Sequence, residues 1–230
     1  MVRLRVSTEL ALRPLMARTK TPQFSQFPFH VTGRHHNKDA FNLELDLVWK
    51  ILTEHLFLTH HFFGLKIHAF VLMPNHFHLI CRTDQELLGT ALGYFMRETS
   101  KAINFYSGRC NQNWGSRYYR CKVISNNYYM NCYKYVYQNP VRANLATNCE
   151  DWAYSTLNGL MGNSHLIAPI ESDTILFSDE GQLINENLKW LNTKPSDENL
   201  NDVRSALKKR NFKLPQTKNK KAHFLENGLL

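Results

Sequence analysis

Hydrophobic positions along this chain change period in a definite order. Phe27–Arg34 (FPFHVTGR) is short, aromatic and β-branched, which is the composition of a strand. From Asn42 to Phe63, apolar residues recur at helical spacing (Leu43, Leu45, Leu47, Val48, Ile51, Leu52, Leu56, Leu58) and predict a helix with Asn42 as its cap. Leu65–Met73 reads as a strand and Met73-Pro74-Asn75 as a turn, with His76–Arg82 returning as the second arm of a hairpin. A second long helix is predicted over Asp84–Tyr106, capped by Asp84, with Leu87, Leu88, Leu92, Phe95 and Met96 in its apolar stripe. Arg117–Ser125 reads as a fourth strand and Asn126–Gln138 as a third helix. Pro140 is expected to stop that helix, because proline biases the residue before it away from helical angles. Trp152–Leu160 packs back with aromatic content. Beyond Ser164 the pattern fades, apart from a short helix over Asp197–Arg210 with a basic last turn, Lys208, Lys209 and Arg210.

The order strand–helix–strand–strand–helix–strand–helix predicts an α+β fold. Its ferredoxin-like form is an antiparallel sheet with helices packed mainly on one face. The expected organisation is an N-terminal leader (1–26), a catalytic domain (27–160) and a C-terminal extension (161–230) ending in a basic, partly disordered tail. That tail is expected to supply affinity rather than chemistry. With 230 residues, 43% of them hydrophobic, the chain suffices for one cored domain. The formal charge of +9 favours a polyanionic partner. No apolar run approaches the roughly 20 residues that span a bilayer, so no membrane partner is expected. Five widely spaced cysteines without a Cys-x-x-Cys pair point to reduced thiols and a cytoplasmic location.

The chemistry concentrates in two stretches. In HAFVLMPNHFHLI, strand alternation puts His76 and His78 on one face and Phe77 on the other. Two imidazoles on one face can grip one metal ion, and paired histidines are anomalous in so apolar a run. In YVYQNPVRA, Tyr135 and Asn139 are four residues apart and share a helix face, whereas Tyr133 and Tyr137 lie about 200° away around the helix. A phenol with a pKa near 10 is a weak nucleophile at neutral pH. A divalent ion held by two imidazoles and an amide would offset charge developing on a phosphodiester. Mixed N/O ligation suits Mg2+ or Mn2+. Arg34, Arg117, Arg120, Lys122, Arg142, Lys208, Lys209 and Arg210 are candidate phosphate contacts, Arg120 and Lys122 sharing one face of their strand. Trp114, Tyr118 and Tyr119 are candidate stacking platforms for unpaired bases. A zinc hydrolase built on His76, His78 and a distant carboxylate lacks any His-Glu-x-x-His pattern. A catalytically idle hairpin-binding protein would not need Tyr135 or the histidines.

Taken together, FHVTGR, HAFVLMPNHFHLI, NWGSRYYRCKVI, YVYQNPVRANL and WAYSTL resemble the REP-associated tyrosine transposases, a branch of the single-tyrosine HUH transposases, over roughly residues 16 to 160. The resemblance implies that Tyr135 is the nucleophile and that His76 and His78 are metal ligands. It also implies that Asn139 stands where relatives often carry a longer Gln as third ligand. It further implies cleavage and rejoining of single-stranded DNA beside palindromic REP hairpins through a 5′-phosphotyrosine, in the nucleoid. Relatives include both obligate dimers and monomers, so a homodimer is among the partners to expect.

Overall fold

The structure is a computed structural model and describes residues 26–84, 87–110, 112–171, 183–216 and 222–230. Residues 1–25 of the expected leader, and Lys218, Lys220 and Lys221 of the tail, lie outside the described residues.

Six elements build the α+β frame: β1 (Phe29–Arg34), α1 (Leu45–Phe63), β2 (Lys66–Met73), β3 (His76–Arg82), α2 (Leu88–Ser107) and β4 (Tyr119–Lys122). The strands form one antiparallel sheet in the order β2-β3-β1-β4. Helices α1 and α2 cover one face. Phe29, Val31, Phe70, Leu72, Phe77 and Leu79 point into that layer and meet Val48, Leu52, Leu92 and Phe95. The second face is also covered, which the one-sided packing expected from the sequence did not anticipate. There Ala69, Val71, Met73, Ile80 and Cys121 meet α3 (Asn126–Arg142). The physical sign of this is that β2 and β3 are buried at nearly every position rather than at alternate ones.

Several local expectations are corrected. Helix α1 starts at Leu45, after Glu44, and its cap makes no side-chain hydrogen bond, so Asn42 is not the cap. Helix α2 starts at Leu88 with Leu87 at its cap position, so Asp84 is not the cap; its carboxylate pairs with Lys66 Nζ at 2.7 Å. Strand β4 is confined to Tyr119–Lys122. Pro140 does not end α3, which runs on to Arg142. Proline withholds the N–H that the Val136 carbonyl would have received. Asn139 Nδ2 reaches that carbonyl at 3.3 Å and the Tyr135 carbonyl at 2.8 Å. One further helical turn follows, closed by Ala143 N–H donating to the Asn139 carbonyl at 3.1 Å.

The C-terminal segment is part of the core. After the short helix α4 (Thr156–Leu160) come α5 (Leu183–Asn192) and α6 (Asp197–Leu207), both packed on α3. Leu200, Val203, Leu207, Phe212, Leu214 and Leu225 are buried in the same cluster as Tyr129, Cys132 and Val136. Phe212 N–H donates to the Lys122 carbonyl at 2.8 Å, which extends the edge at β4. The last residues cross the back of α3. Asn131 accepts from Leu230 N–H at 2.7 Å, and Lys134 Nζ donates to the Leu230 main-chain oxygen at 2.9 Å. In its described part, the extension expected to end in a basic, partly disordered tail is therefore a structural layer. All five cysteines are free thiols. Among the described residues, no helix is long and apolar enough to cross a membrane.

Candidate active site

Strand β3 carries the central pair. His76 sits opposite Arg34 and His78 opposite Thr32 across the β1–β3 ladder. The even positions of β1, His30, Thr32 and Arg34, therefore share the face that bears both histidines. Phe77 points the other way, is fully buried, and meets Phe95 and Trp114 edge-on. At Gly33 the strand backbone runs against Phe77: a Cβ there would lie 2.5 Å from Cε1 of that ring. The missing Cβ of Gly33 leaves room for the Phe77 ring against β1.

Helix α3 crosses the same face. Ser125 caps it by accepting from Tyr128 N–H at 3.2 Å. Tyr135, Asn139 and Arg142 follow at i, i+4 and i+7, so the helix presents all three to one cavity of about 580 Å³. Had Pro140 ended the helix, Arg142 would have lost that alignment. The cavity is also lined by His30, Thr32, Arg34, His76, His78, Arg117 and Tyr119. Arg204 and Lys208, from the end of α6, complete it.

Each group's chemistry follows from its surroundings. His76 Nδ1 lies 2.6 Å from Asn75 Oδ1, and the Asn75 amide is oriented by its own Nδ2 donating to the Lys38 carbonyl at 2.6 Å. An amide oxygen only accepts, so His76 Nδ1 carries the proton and Nε2 presents a lone pair. His78 Nδ1 is 2.9 Å from His30 Nε2, while its Nε2 is buried with no protein partner among the described residues. Burial, reinforced by Arg34 and Arg204, pushes the His76 pKa down to about 4. Burial beside His30 and His76 holds His78 well below the usual imidazole range. Both imidazoles are thus neutral near pH 7, the state in which a ring nitrogen can ligate a metal.

Tyr135 is 6% exposed. Burial pushes its pKa up, opposed by the charges of Arg142 and Arg204. The Arg142 guanidinium lies 5.4 Å from the centre of its ring. Tyr133 and Tyr137 belong to the opposite side of α3, where their rings meet at 4.8 Å and Tyr137 Oη bonds Thr156 Oγ1 at 2.8 Å. Neither lines the cavity.

The two Nδ2 bonds of Asn139 leave Oδ1 as its available donor atom for an ion. Two neutral imidazoles and one amide oxygen fit a hard-to-borderline divalent cation, and the orphaned buried Nε2 of His78 is the observation that calls for a ligand. Among the described residues, no cluster of three or more His, Cys, Asp or Glu side chains is placed to hold a metal.

Of the residues singled out from sequence, Arg34, His76, His78, Arg117, Tyr135, Asn139, Arg142 and Lys208 converge on the cavity. Arg120, Lys122, Lys209 and Arg210 do not line it. Arg120 and Lys122 do share a strand face, but it is the face of Val31 and Phe29, and Arg120 lies 5.8 Å over the Phe29 ring. Trp114 is buried, with Nε1–H donating to the Met96 carbonyl at 3.0 Å, whereas Tyr119 is exposed at the cavity. Sequence reasoning missed His30 and Arg204. His30 carried a usable signal, since period-2 alternation from Arg34 places it on the cavity face. Arg204 carried none, because only the docking of α6 brings it in.

No protein-family model matches the chain, and no curated protein matches it. Among solved structures, the chain is similar to a REP-associated tyrosine transposase bound to a REP hairpin. Identity is 19% and the TM-score 0.52, over 74% of this chain and 99% of that one. At that identity the likeness establishes a shared fold.

Proposed function

We propose that this protein is a metal-dependent enzyme that cuts and rejoins single-stranded DNA beside hairpins, with Tyr135 as the nucleophile. One observation carries the reading. A single buried tyrosine, two neutral imidazoles with free Nε2 atoms and several cations meet in one cavity, from which Tyr133 and Tyr137 are turned away. The fold it shares with a transposase bound to hairpin DNA supports the choice of substrate.

The residues divide the work. Arg34, Arg117, Arg142 and Arg204 form a cationic lining that binds the phosphodiester backbone. Tyr119, exposed at the rim, offers a ring on which an unpaired base can stack. Arg142 and Arg204 favour the phenolate of Tyr135 against its burial. The Tyr135 oxygen attacks phosphorus as the P–O3′ bond breaks. The phenolic proton is given up, the departing 3′-oxygen takes one on, and a 5′-phosphotyrosine with a free 3′-OH results. One phosphodiester replaces another, so no energy source is consumed, and attack by a 3′-OH reverses the step. His76, His78 and Asn139 would hold Mg2+ or Mn2+, whose charge supplies Lewis-acid stabilisation to the phosphate.

The test is incubation of the protein with labelled single-stranded hairpins from the flanks of its own gene, with Mn2+ or Mg2+. The expected result is a protein–DNA adduct stable to SDS that is lost in Tyr135→Phe and retained in Tyr133→Phe and Tyr137→Phe. Hairpin binding without any adduct would overturn the catalytic reading and leave a binding protein. An adduct mapping to another tyrosine would overturn the assignment of Tyr135.

A further inference from the structure

We infer that His30 is a positioning residue that sets the tautomer of His78 and so presents the His78 Nε2 lone pair to the cavity. This rests on the reading of His76 and His78 as metal ligands.

The two histidines of β3 are held alike, each at its Nδ1. His76 Nδ1 faces Asn75 Oδ1 at 2.6 Å, and His78 Nδ1 faces His30 Nε2 at 2.9 Å. For His76 the outcome follows from the amide alone, since an oxygen cannot donate. For His78 the partner is itself an imidazole, and one proton must lie between the two nitrogens. Either way one buried ring N–H of the pair faces no described partner, so the ligand reading selects the tautomer: if His30 Nε2 carried the proton, His78 Nδ1 would be the acceptor and its Nε2 would be protonated. A nitrogen bearing that proton cannot ligate. If His78 Nδ1 carries it, Nε2 is a bare lone pair lining the cavity, matching Nε2 of His76. His30 then holds its own proton on Nδ1, the atom that faces no described partner. The ring planes of His30 and His78 lie within 22° of each other at 5.1 Å, a contact that helps orient the His78 ring. His30 is 3% exposed, so water does not compete for the contact. The arrangement is the familiar one in which a group beyond the ligand fixes the ligand's ring and tautomer.

The placement of His30 follows from the sheet. It is two residues before Thr32, which pairs directly with His78, so it reaches His78 diagonally across the β1–β3 ladder. Its neighbours Phe29 and Val31 are fully buried in the opposite layer and anchor the strand.

The test uses the full-length protein and two substitutions, His30→Gln and His30→Leu. Glutamine can offer its Oε1 near the place of the imidazole Nε2, whereas leucine removes the acceptor. The first readout is long-range 15N correlation NMR of the metal-free protein, which distinguishes a protonated from a bare ring nitrogen. The wild type and His30→Gln are expected to show His78 with Nδ1–H and a bare Nε2. His30→Leu is expected to show Nε2–H gaining population. The second readout is Mn2+ affinity by calorimetry, with about a 10- to 100-fold loss in His30→Leu and recovery in His30→Gln. Near-UV circular dichroism checks that each variant is folded, and His30→Gln keeps the comparison usable if His30→Leu unfolds. A wild-type His78 bearing Nε2–H overturns the inference, as does a folded His30→Leu with unchanged tautomer and Mn2+ affinity. If the wild-type protein shows the expected tautomer and binds no Mn2+, the tautomer lock stands and the metal reading fails.

Discussion

Cutting the chain after Arg210 separates two accounts of its C-terminal end. If residues 211–230 were a solvated basic appendage, their loss would weaken DNA binding and leave the fold intact. The structure says otherwise. Phe212, Leu214 and Leu225 are 0%, 3% and 0% exposed. Losing a buried Phe costs about 3–5 kcal/mol and a buried Leu about 2–5 kcal/mol. The truncation also strips the Leu230 oxygen from Lys134 Nζ and the Leu225, Gly228 and Leu230 main-chain partners from Asn131. Lys134 and Asn131 are both fully buried, and each orphaned group adds about 1–3 kcal/mol. The total reaches the about 5–15 kcal/mol by which a domain is stable at all. The truncated chain is therefore expected to lack a cooperative guanidinium transition and a native near-UV spectrum. The single substitution Phe212→Ala, which removes the ring packed 4.6 Å from Tyr128, isolates one part. A loss of about 3–5 kcal/mol, at about 2–4 °C per kcal/mol for a domain of this size, lowers Tm by about 6–20 °C. Lys213→Gln changes an exposed charge only and should stay within about 0.5 kcal/mol. A truncated protein that unfolds cooperatively at the full-length midpoint would refute the reasoning.

Three further outcomes follow from the same geometry. Gly33→Ala forces a methyl against Phe77 under the histidine-bearing strand, so it should cost about 1–3 kcal/mol in denaturant titrations and weaken Mn2+ binding; full stability and affinity would show that the sheet yields there. Arg204→Gln removes one cation from the cavity. It should reduce adduct formation on single-stranded DNA and flatten the plot of log affinity against log salt by up to about 0.7, and an unchanged slope would mean that Arg204 touches no phosphate. The metal-free protein should lose stability on acidification. His76 and His30 titrate at about 4 and about 3 when folded but near 6.5 when unfolded, so the unfolded chain binds more protons in between. Their contribution is complete above pH 6.5 and is lost as pH falls from there towards 4 and below. A flat stability profile across that window would contradict the burial of these rings.

Periodicity along the chain was enough to place His76 and His78 on one side of a strand with Phe77 on the other, and Tyr135 and Asn139 on one side of a helix, because these relations span two to four residues of regular backbone. The strand and helix order likewise determined the antiparallel α+β frame. Relations between elements were decided elsewhere. The β1–β3 register brings His30 to His78, forty-eight positions away along the chain. The docking of α6 on α3 brings Arg204 to the cavity face of α3, with which it shares no local pattern. Arg120 and Lys122 were rightly paired by alternation, yet which layer that face meets depends on how β4 joins β1. Pro140 was read as a stop from a local rule, and the side chain of Asn139, folded back on two helix carbonyls, overrode it. The C-terminal segment looked polar because its apolar residues are sparse and irregular. They become a core layer only when the face of α3 turned away from the sheet is there to receive them, since burial depends on what a residue meets in space and not on its neighbours in sequence.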